Sequence, residues 1–188
     1  MPIFRTGRVV SLALLLAGSA SCTQDSSGQK VLDAIVVATD RVYTTIESVA
    51  SWSHAEAEGL TIDGSIPNTA GGSLAVLGWR TASAHTNADG HSYAGFGERL
   101  TLKFDGWAEL DVLMSGSILL TRHSLDFTTK GSKTVSDASR TAVYLGTVTV
   151  SGGVNGEFSL DVHNRTSGGL EWTCGRINND ETGRGPCY

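Results

Sequence analysis

The chain has 188 residues, and its 14 Lys and Arg against 19 Asp and Glu give a formal net charge of −5 at pH 7. A net-negative chain without a basic cluster argues against nucleic acid as a partner, because nucleic acids are bound largely through their phosphates. A hydrophobic fraction of 40% with 23 glycines and 3 prolines predicts one folded, turn-rich domain rather than a disordered chain.

The first 21 residues have the order of features typical of a secretory signal peptide. Arg5 and Arg8 supply positive charge, the apolar run 9–17 follows, and the small residues 18–21 come next. The apolar run is far shorter than the ~20 residues that a membrane-spanning helix needs. We therefore expect residues 1–21 to be a signal peptide, with a buried N-terminal helix as the alternative.

The segment Ala20-Ser21-Cys22 resembles the end of the lipobox of bacterial lipoproteins, where small residues run into an invariant cysteine. Ser19 departs from the branched apolar residue usual in that family, which leaves ordinary signal-peptide cleavage as an alternative. The resemblance implies diacylglycerol on the Cys22 thiol and attachment to a membrane of the bacterial cell envelope. Thr23 in place of Asp after the cysteine implies the outer membrane. The polar residues 22–29 are then predicted to form a tether, and residues 30–188 a single globular domain.

If Cys22 carries lipid, two cysteines remain, and they flank a polar segment. Cys174 and Cys187 enclose residues 175–186, which contain almost no apolar side chain that could be buried. We predict a disulfide between them, which would stabilise the fold by roughly 3 kcal/mol through the entropy of the unfolded chain. A zinc site is the alternative, but two cysteines without paired spacing are a weak signal for it. We expect no metal and no cofactor.

The clearest predicted helix extends from about residue 30 to residue 53. Its apolar residues recur at spacings of three and four and so share one helical face. Because the segment is also rich in β-branched residues, strands are the alternative. The members of the apolar stripe are Leu32, Ile35, Val36, Thr39, Tyr43, Ile46 and Ala50.

After Gly59 the sequence changes to alternating segments separated by glycine-rich turns. Residues 98–104 alternate apolar and polar side chains, and Asp105-Gly106 is interpreted as the hairpin turn that follows. Asp63-Gly64 is interpreted as another turn. The predicted fold is mainly β with one N-terminal helix (α+β), in which an antiparallel β-meander forms a curved sheet or partial barrel packed on the helix. This arrangement is similar to several periplasmic lipid carriers at the level of fold only.

Two groups of histidines and carboxylates are candidate metal sites. His54, Glu56 and Glu58 are close in sequence, but residues two apart do not face each other on a helix, which favours a solvated helix end. His85 and His91 flank a segment with some likeness to a calcium loop, but it has too few oxygen ligands, so a plain hairpin turn is favoured.

The polar residues 178–181 and the four tryptophans are the other candidates. A cluster of amides and carboxylates in a stapled loop can bind a cation or a partner, although a solvated loop is the more common case. Trp52, Trp79, Trp107 and Trp172 can line a ligand site, but in a domain of this size we expect them mainly in the core.

The sequence contains none of the common hydrolase, phosphate-loop or zinc-protease motifs. We therefore expect a non-enzymatic, envelope- or surface-anchored lipoprotein domain of structural or interaction type, with a protein or an apolar ligand as its partner. The alternative is a carrier of an apolar ligand held between the helix and the curved sheet. An envelope hydrolase is a third hypothesis, because a catalytic triad need not be contiguous in sequence.

Overall fold

A computed structural model describes residues 26–49, 53–56, 59–69, 71–86, 88, 90, 92–128, 135–167, 170–178 and 180–183. These residues form one helix, α1 (Ser26–Ser48), followed by strands. The strands are β1 (Ser53–Glu56), β2 (Gly59–Pro67), β3 (Ser73–Thr86), β4 (Ser92–Glu109), β5 (Val112–Thr128), β6 (Val135–Gly152), β7 (Gly156–Ser167), β8 (Leu170–Ile177) and β9 (Asp180–Gly183).

The strands form one antiparallel sheet whose spatial order is the same as their order in the chain, β1 to β9. The sheet is curved and open, with β1 and β9 at its two edges. The predicted fold class, mainly antiparallel β with one N-terminal helix, is confirmed. Consecutive antiparallel strands need only short connections, which explains the regular spacing of glycine-rich turns in the sequence.

The hydrophobic core lies between α1 and the concave face of the sheet. The apolar stripe of the helix is buried, and Ile35 and Val42 have no exposed surface. Burial of one such side chain contributes about 1.5–3 kcal/mol, so this stripe, more than helix propensity, holds α1 in place. The buried side chains of the sheet include Ile62, Leu74, Val76, Leu100, Leu102, Phe104, Trp107, Met114, Ile118, Leu120, Val148, Phe158, Leu160 and Val162.

The helix lies across the strands rather than along one of them. At its first turn a Cβ on Gly28 would lie 3.2 Å from the Ile177 side chain in β8, so a glycine lets the helix approach this strand closely. Nearer its C-terminus, Tyr43 contacts Arg122 in β5 and Arg41 pairs with Glu109 at the end of β4. One helix therefore contacts strands from both halves of the sheet.

The helix boundaries differ from the predicted ones at both ends. The helix begins at Ser26, so residues 26–29, predicted as part of the tether, form its first turn. It ends at Ser48 rather than at residue 53, because residues 53–56 form β1 and pair with β2. The interpretation of His54 and Glu56 as a helix end is therefore wrong.

The reversal between β4 and β5 also differs from the prediction. Asp105 and Gly106 lie within β4, where the register shifts between Phe104 and Trp107, and the strand continues to Glu109. This irregularity is a β-bulge, stabilised by a hydrogen bond from the Gly106 amide to the Ser115 hydroxyl at 3.1 Å. The turn itself is Leu110-Asp111, and both residues have positive φ (47° and 64°), as a two-residue hairpin loop requires. Asp63-Gly64 likewise lies inside β2 and is not a turn.

Candidate binding surface on the concave face

A buried carboxylate lies beside the apolar core, between two arginines. Arg80, Glu98 and Arg122 are direct cross-strand partners on β3, β4 and β5, and the Glu98 side chain has no exposed surface. Arg80 Nε donates a hydrogen bond to Glu98 Oε1 at 2.9 Å, and its Nη2 lies 2.7 Å from the same oxygen. Arg122 Nη1 is 3.9 Å from Glu98 Oε2, which is too long for a hydrogen bond. We refer to these three residues as the Arg–Glu cluster.

Two aromatic rings hold the guanidinium groups of this cluster. The Tyr43 ring on α1 has Arg122 Cζ 3.8 Å from its centroid, within the range of a cation–π contact. Phe96 on β4 lies near both arginines, at 5.4 Å from Arg80 Cζ and 5.6 Å from Arg122 Cζ. Both guanidinium groups therefore lie near aromatic rings as well as beside the buried carboxylate.

Burial changes the acidity of two tyrosines close to the cluster. Burial and then the negative charge of Glu98 raise the pKa of Tyr43 well above its usual value, so its hydroxyl stays neutral. This hydroxyl and Glu98 Oε2 are both buried, and the hydroxyl is a neighbour of both Arg122 and Glu98. Burial also raises the pKa of Tyr144, to about 12. Tyr43 therefore lies beside both a positive and a negative member of the Arg–Glu cluster.

Beyond the cluster, the strands continue past the helix, and the concave face carries small and polar side chains. Ala82, Phe96, Ser124, Arg140 and Thr166 are successive cross-strand partners on this face. Ala82 and Arg140 are exposed, as is Ala94, the next residue of β4 on the same face. We call these six residues the open concave surface. The Arg–Glu cluster separates it from the apolar core.

The helix is flanked by two clefts. One, of about 330 Å³, lies beside its N-terminal half and is lined by Leu32, Val36, Tyr144 and Val162 among others. The other, of about 540 Å³, lies beside its C-terminal half, where Arg41 pairs with Glu109. That pair is bidentate, with contacts of 2.8 Å and 3.1 Å. Both clefts are open to solvent, whereas the side chains between helix and sheet are closely packed.

The convex face carries several exposed apolar side chains. Leu77, Trp79 and Leu145 are 58%, 47% and 49% exposed, and a cleft of about 490 Å³ adjoins the first two. The expectation that the tryptophans are mainly core residues is therefore wrong for Trp79. It is confirmed for Trp107, which is buried. Trp172 is half-buried on β8 and stacks with Arg165, and Trp52 lies outside the described residues.

The structure places only some of the other predicted site residues. Cys174 lies on β8, half-buried, while Cys22 and Cys187 are outside the described residues, so the lipidation and the disulfide stay predictions. His85 is exposed near the end of β3, and His91 is outside the described residues.

Of the polar cluster 178–181, Asn178 lies at the turn after β8, residues 180 and 181 lie in β9, and Asn179 is outside the described residues. Asn178 holds this turn to β7. Its backbone amide donates to the Ser159 carbonyl at 2.6 Å, and its side-chain oxygen accepts from the Ser159 amide at 2.9 Å. Asn178 therefore has a structural role. Within the described part of the chain, no three His, Cys, Asp or Glu residues come together as metal ligands.

The Arg–Glu cluster is not among the sites predicted from the sequence, although the alternation of strand residues contains a signal for it. Glu98 has the same parity as Leu100 and Leu102, so it must face the same side of β4 as these core residues. Arg122 stands in the same relation to Leu120 in β5. A charged residue in phase with a buried face indicates a buried ion pair or a site.

Comparisons of the chain with protein-family models, with curated proteins and with solved structures found no match. Of the helices in the described regions, none has the length and apolar character needed to cross a membrane. The geometry of the concave face is therefore the main guide to function.

Proposed function

We propose that this protein is a membrane-tethered binding domain of the bacterial cell envelope, anchored by a lipid on Cys22 and acting by interaction rather than by catalysis. Its recognition site is the open concave surface. The observation that carries this proposal is the Arg–Glu cluster at the edge of that surface, where two partly exposed arginines are held in place by a fully buried carboxylate. Fixed charges beside small, exposed side chains are typical of a preorganised binding site.

The carrier hypothesis has less support from the described interface. The helix and sheet side chains that would have to separate around an apolar ligand are packed against each other, and most are less than 5% exposed. Opening this interface would expose apolar area at a cost of about 25 cal/mol per Å². A ligand on the open concave surface requires no such opening.

The binding half of the proposal is tested by photo-crosslinking in the source organism. A benzophenone-bearing amino acid replaces Ala94 on the open concave surface. The matched control has it at Ala75, which is flanked in β3 by the core residues Leu74 and Val76 and so faces the convex side. We expect adducts, detected by mass, at position 94 and not at position 75. Equal labelling at both positions, or none at position 94, would contradict the proposed site.

The anchor is tested by intact mass spectrometry of the protein made in a bacterial host. We expect a chain that begins at Cys22 and carries acyl mass, and a Cys22→Ser variant without that mass. If Cys174 and Cys187 form a disulfide, the mature chain gains the mass of two hydrogen atoms on reduction. An unacylated chain that still retains residues 1–21 would overturn the proposed anchoring.

A further inference from the structure

Arg122 is a guanidinium cation at the border of the open concave surface. Its side chain is 27% exposed, and Glu98 is too distant to accept a hydrogen bond from it. Arg122 makes ring contacts with Tyr43 and Phe96, and the Tyr43 hydroxyl is also a neighbour of its guanidinium. Arg80, by contrast, has two close contacts with Glu98. The guanidinium of Arg122 is therefore held between aromatic rings while its side chain remains partly exposed to a ligand.

The neighbours of Arg122 on the same face suit a negatively charged group. Ser124 is two residues further along β5 on the same side of the strand, and its direct cross-strand partner is Arg140, which is exposed. The charged side chains described on this part of the face are Arg80, Arg122 and Arg140 against Glu98 and Asp126. The strand residues on this part of the face thus carry one excess positive charge, on a chain whose net charge is −5. This is a local positive region on an acidic protein.

We propose that Arg122, Arg140 and the Ser124 hydroxyl bind the phosphate group of a ligand on the open concave surface. This inference rests on the proposed function and specifies the ligand's chemistry. A planar guanidinium presents N–H donors that match two oxygens of a phosphate, and a second arginine and a hydroxyl add donors around them. The phosphate can belong to free inorganic phosphate or a small phosphorylated molecule, or to the headgroup of an anionic lipid.

The test is a titration of the folded domain with inorganic phosphate, followed by the amide NMR signals of β5 and β6. We expect saturable shifts at residues 122–124 and 140–142, weakened by added sodium chloride. Arg122→Lys keeps the charge but loses the planar fork, so we expect the dissociation constant to rise about tenfold. Arg140→Gln changes an exposed residue that does not threaten the fold, and we expect a rise of about threefold.

The matched control is Arg99→Gln, because Arg99 is an exposed arginine of β4 that faces the convex side. This variant should bind phosphate as the parent protein does. Absence of saturable shifts would overturn the proposal. So would equal effects of the Arg140 and Arg99 substitutions, since these would indicate a general charge effect.

Vesicles distinguish the two sources of the phosphate. Binding to phosphatidylglycerol vesicles but not to phosphatidylcholine vesicles, lost in Arg140→Gln, would assign the site to a lipid headgroup. Binding of inorganic phosphate without vesicle binding would assign it to a soluble ligand. If neither probe binds while position 94 still gives specific crosslinks, the phosphate inference is wrong and the proposed binding function stands. If position 94 also gives none, both fail.

Discussion

At the scale of single residues, Glu98 is the counter-ion of the two arginines that lie beside the apolar core. Its carboxylate is fully buried between Arg80 and Arg122, whose side chains are 22% and 27% exposed. Taking a carboxylate out of water is costly, and its attraction to the two guanidinium groups offsets that cost. The cluster therefore fixes the positions of two arginines, and its net contribution to the free energy of folding is not large.

Replacement of Glu98 by Gln tests whether the two arginines need the charge of the buried carboxylate. Gln has the same size but no charge, so the two arginines remain beside the core without their counter-ion. We expect the free energy of unfolding to fall by about 3 kcal/mol in urea denaturation, as for other buried pairs that lose one partner. Glu157→Gln, at an exposed site on β7, is the control and should change it by less than about 0.5 kcal/mol. Similar small losses in both variants would show that the cluster is not coupled to folding.

The raised pKa of Tyr144 predicts how the free energy of unfolding depends on pH in the alkaline range. Burial raises its pKa to about 12 in the folded protein, above the ordinary value of 10.0 that applies when unfolded. Between these values the unfolded chain loses the phenolic proton and the folded protein keeps it. Stability is therefore complete below pH 10 and falls as pH rises, by roughly 1 kcal/mol per pH unit.

The measurement is urea denaturation of the parent and of Tyr144→Phe at several pH values from 8 to 11. Phe keeps the ring in the core but has no proton to lose, so the alkaline decline should be shallower in the variant. Because other alkaline titrations are common to both proteins, the difference between the two curves isolates Tyr144. Parallel curves would contradict the assignment of this effect to Tyr144.

At the scale of elements, α1 is held by its apolar stripe against the concave face. Ile35→Ala removes a fully buried side chain and leaves a cavity, so we expect the free energy of unfolding to fall by about 2–5 kcal/mol. Glu47→Ala introduces the same residue at an exposed position of the same helix and should change it by less than about 0.5 kcal/mol. A small loss for Ile35→Ala in urea denaturation would mean that the helix is not part of the cooperative core.

Some features of these elements can be predicted from the sequence, and others cannot. The helical stripe around Ile35 and the alternating strand around Leu102 are local patterns, and the structure confirms both. The Asp105-Gly106 dipeptide was misinterpreted because a bulge and a turn use the same residue types. The Arg–Glu cluster requires the register of three strands, and register depends on long-range pairing that one sequence does not display.

At the scale of the whole molecule, the two faces of the sheet differ in character. The concave face changes from apolar under α1 to charged and open beyond it, while the convex face alternates polar residues with exposed Leu77, Trp79 and Leu145. The concave face thus has a boundary between the part that packs against α1 and the part that is exposed to solvent. The proposed binding site lies at that boundary, where the packed core fixes its residues and a ligand can reach them from solvent.

The sequential order of the strands has a consequence for how the chain folds. Every strand from β2 to β8 pairs only with the strand before it and the strand after it, and β1 and β9 do not pair with each other within the described sheet. A chain synthesised from its N-terminus can therefore add one hairpin at a time, without waiting for a distant segment to close the sheet. Until the next strand forms, the last strand is an unpaired edge. Each partly formed sheet is therefore prone to aggregation.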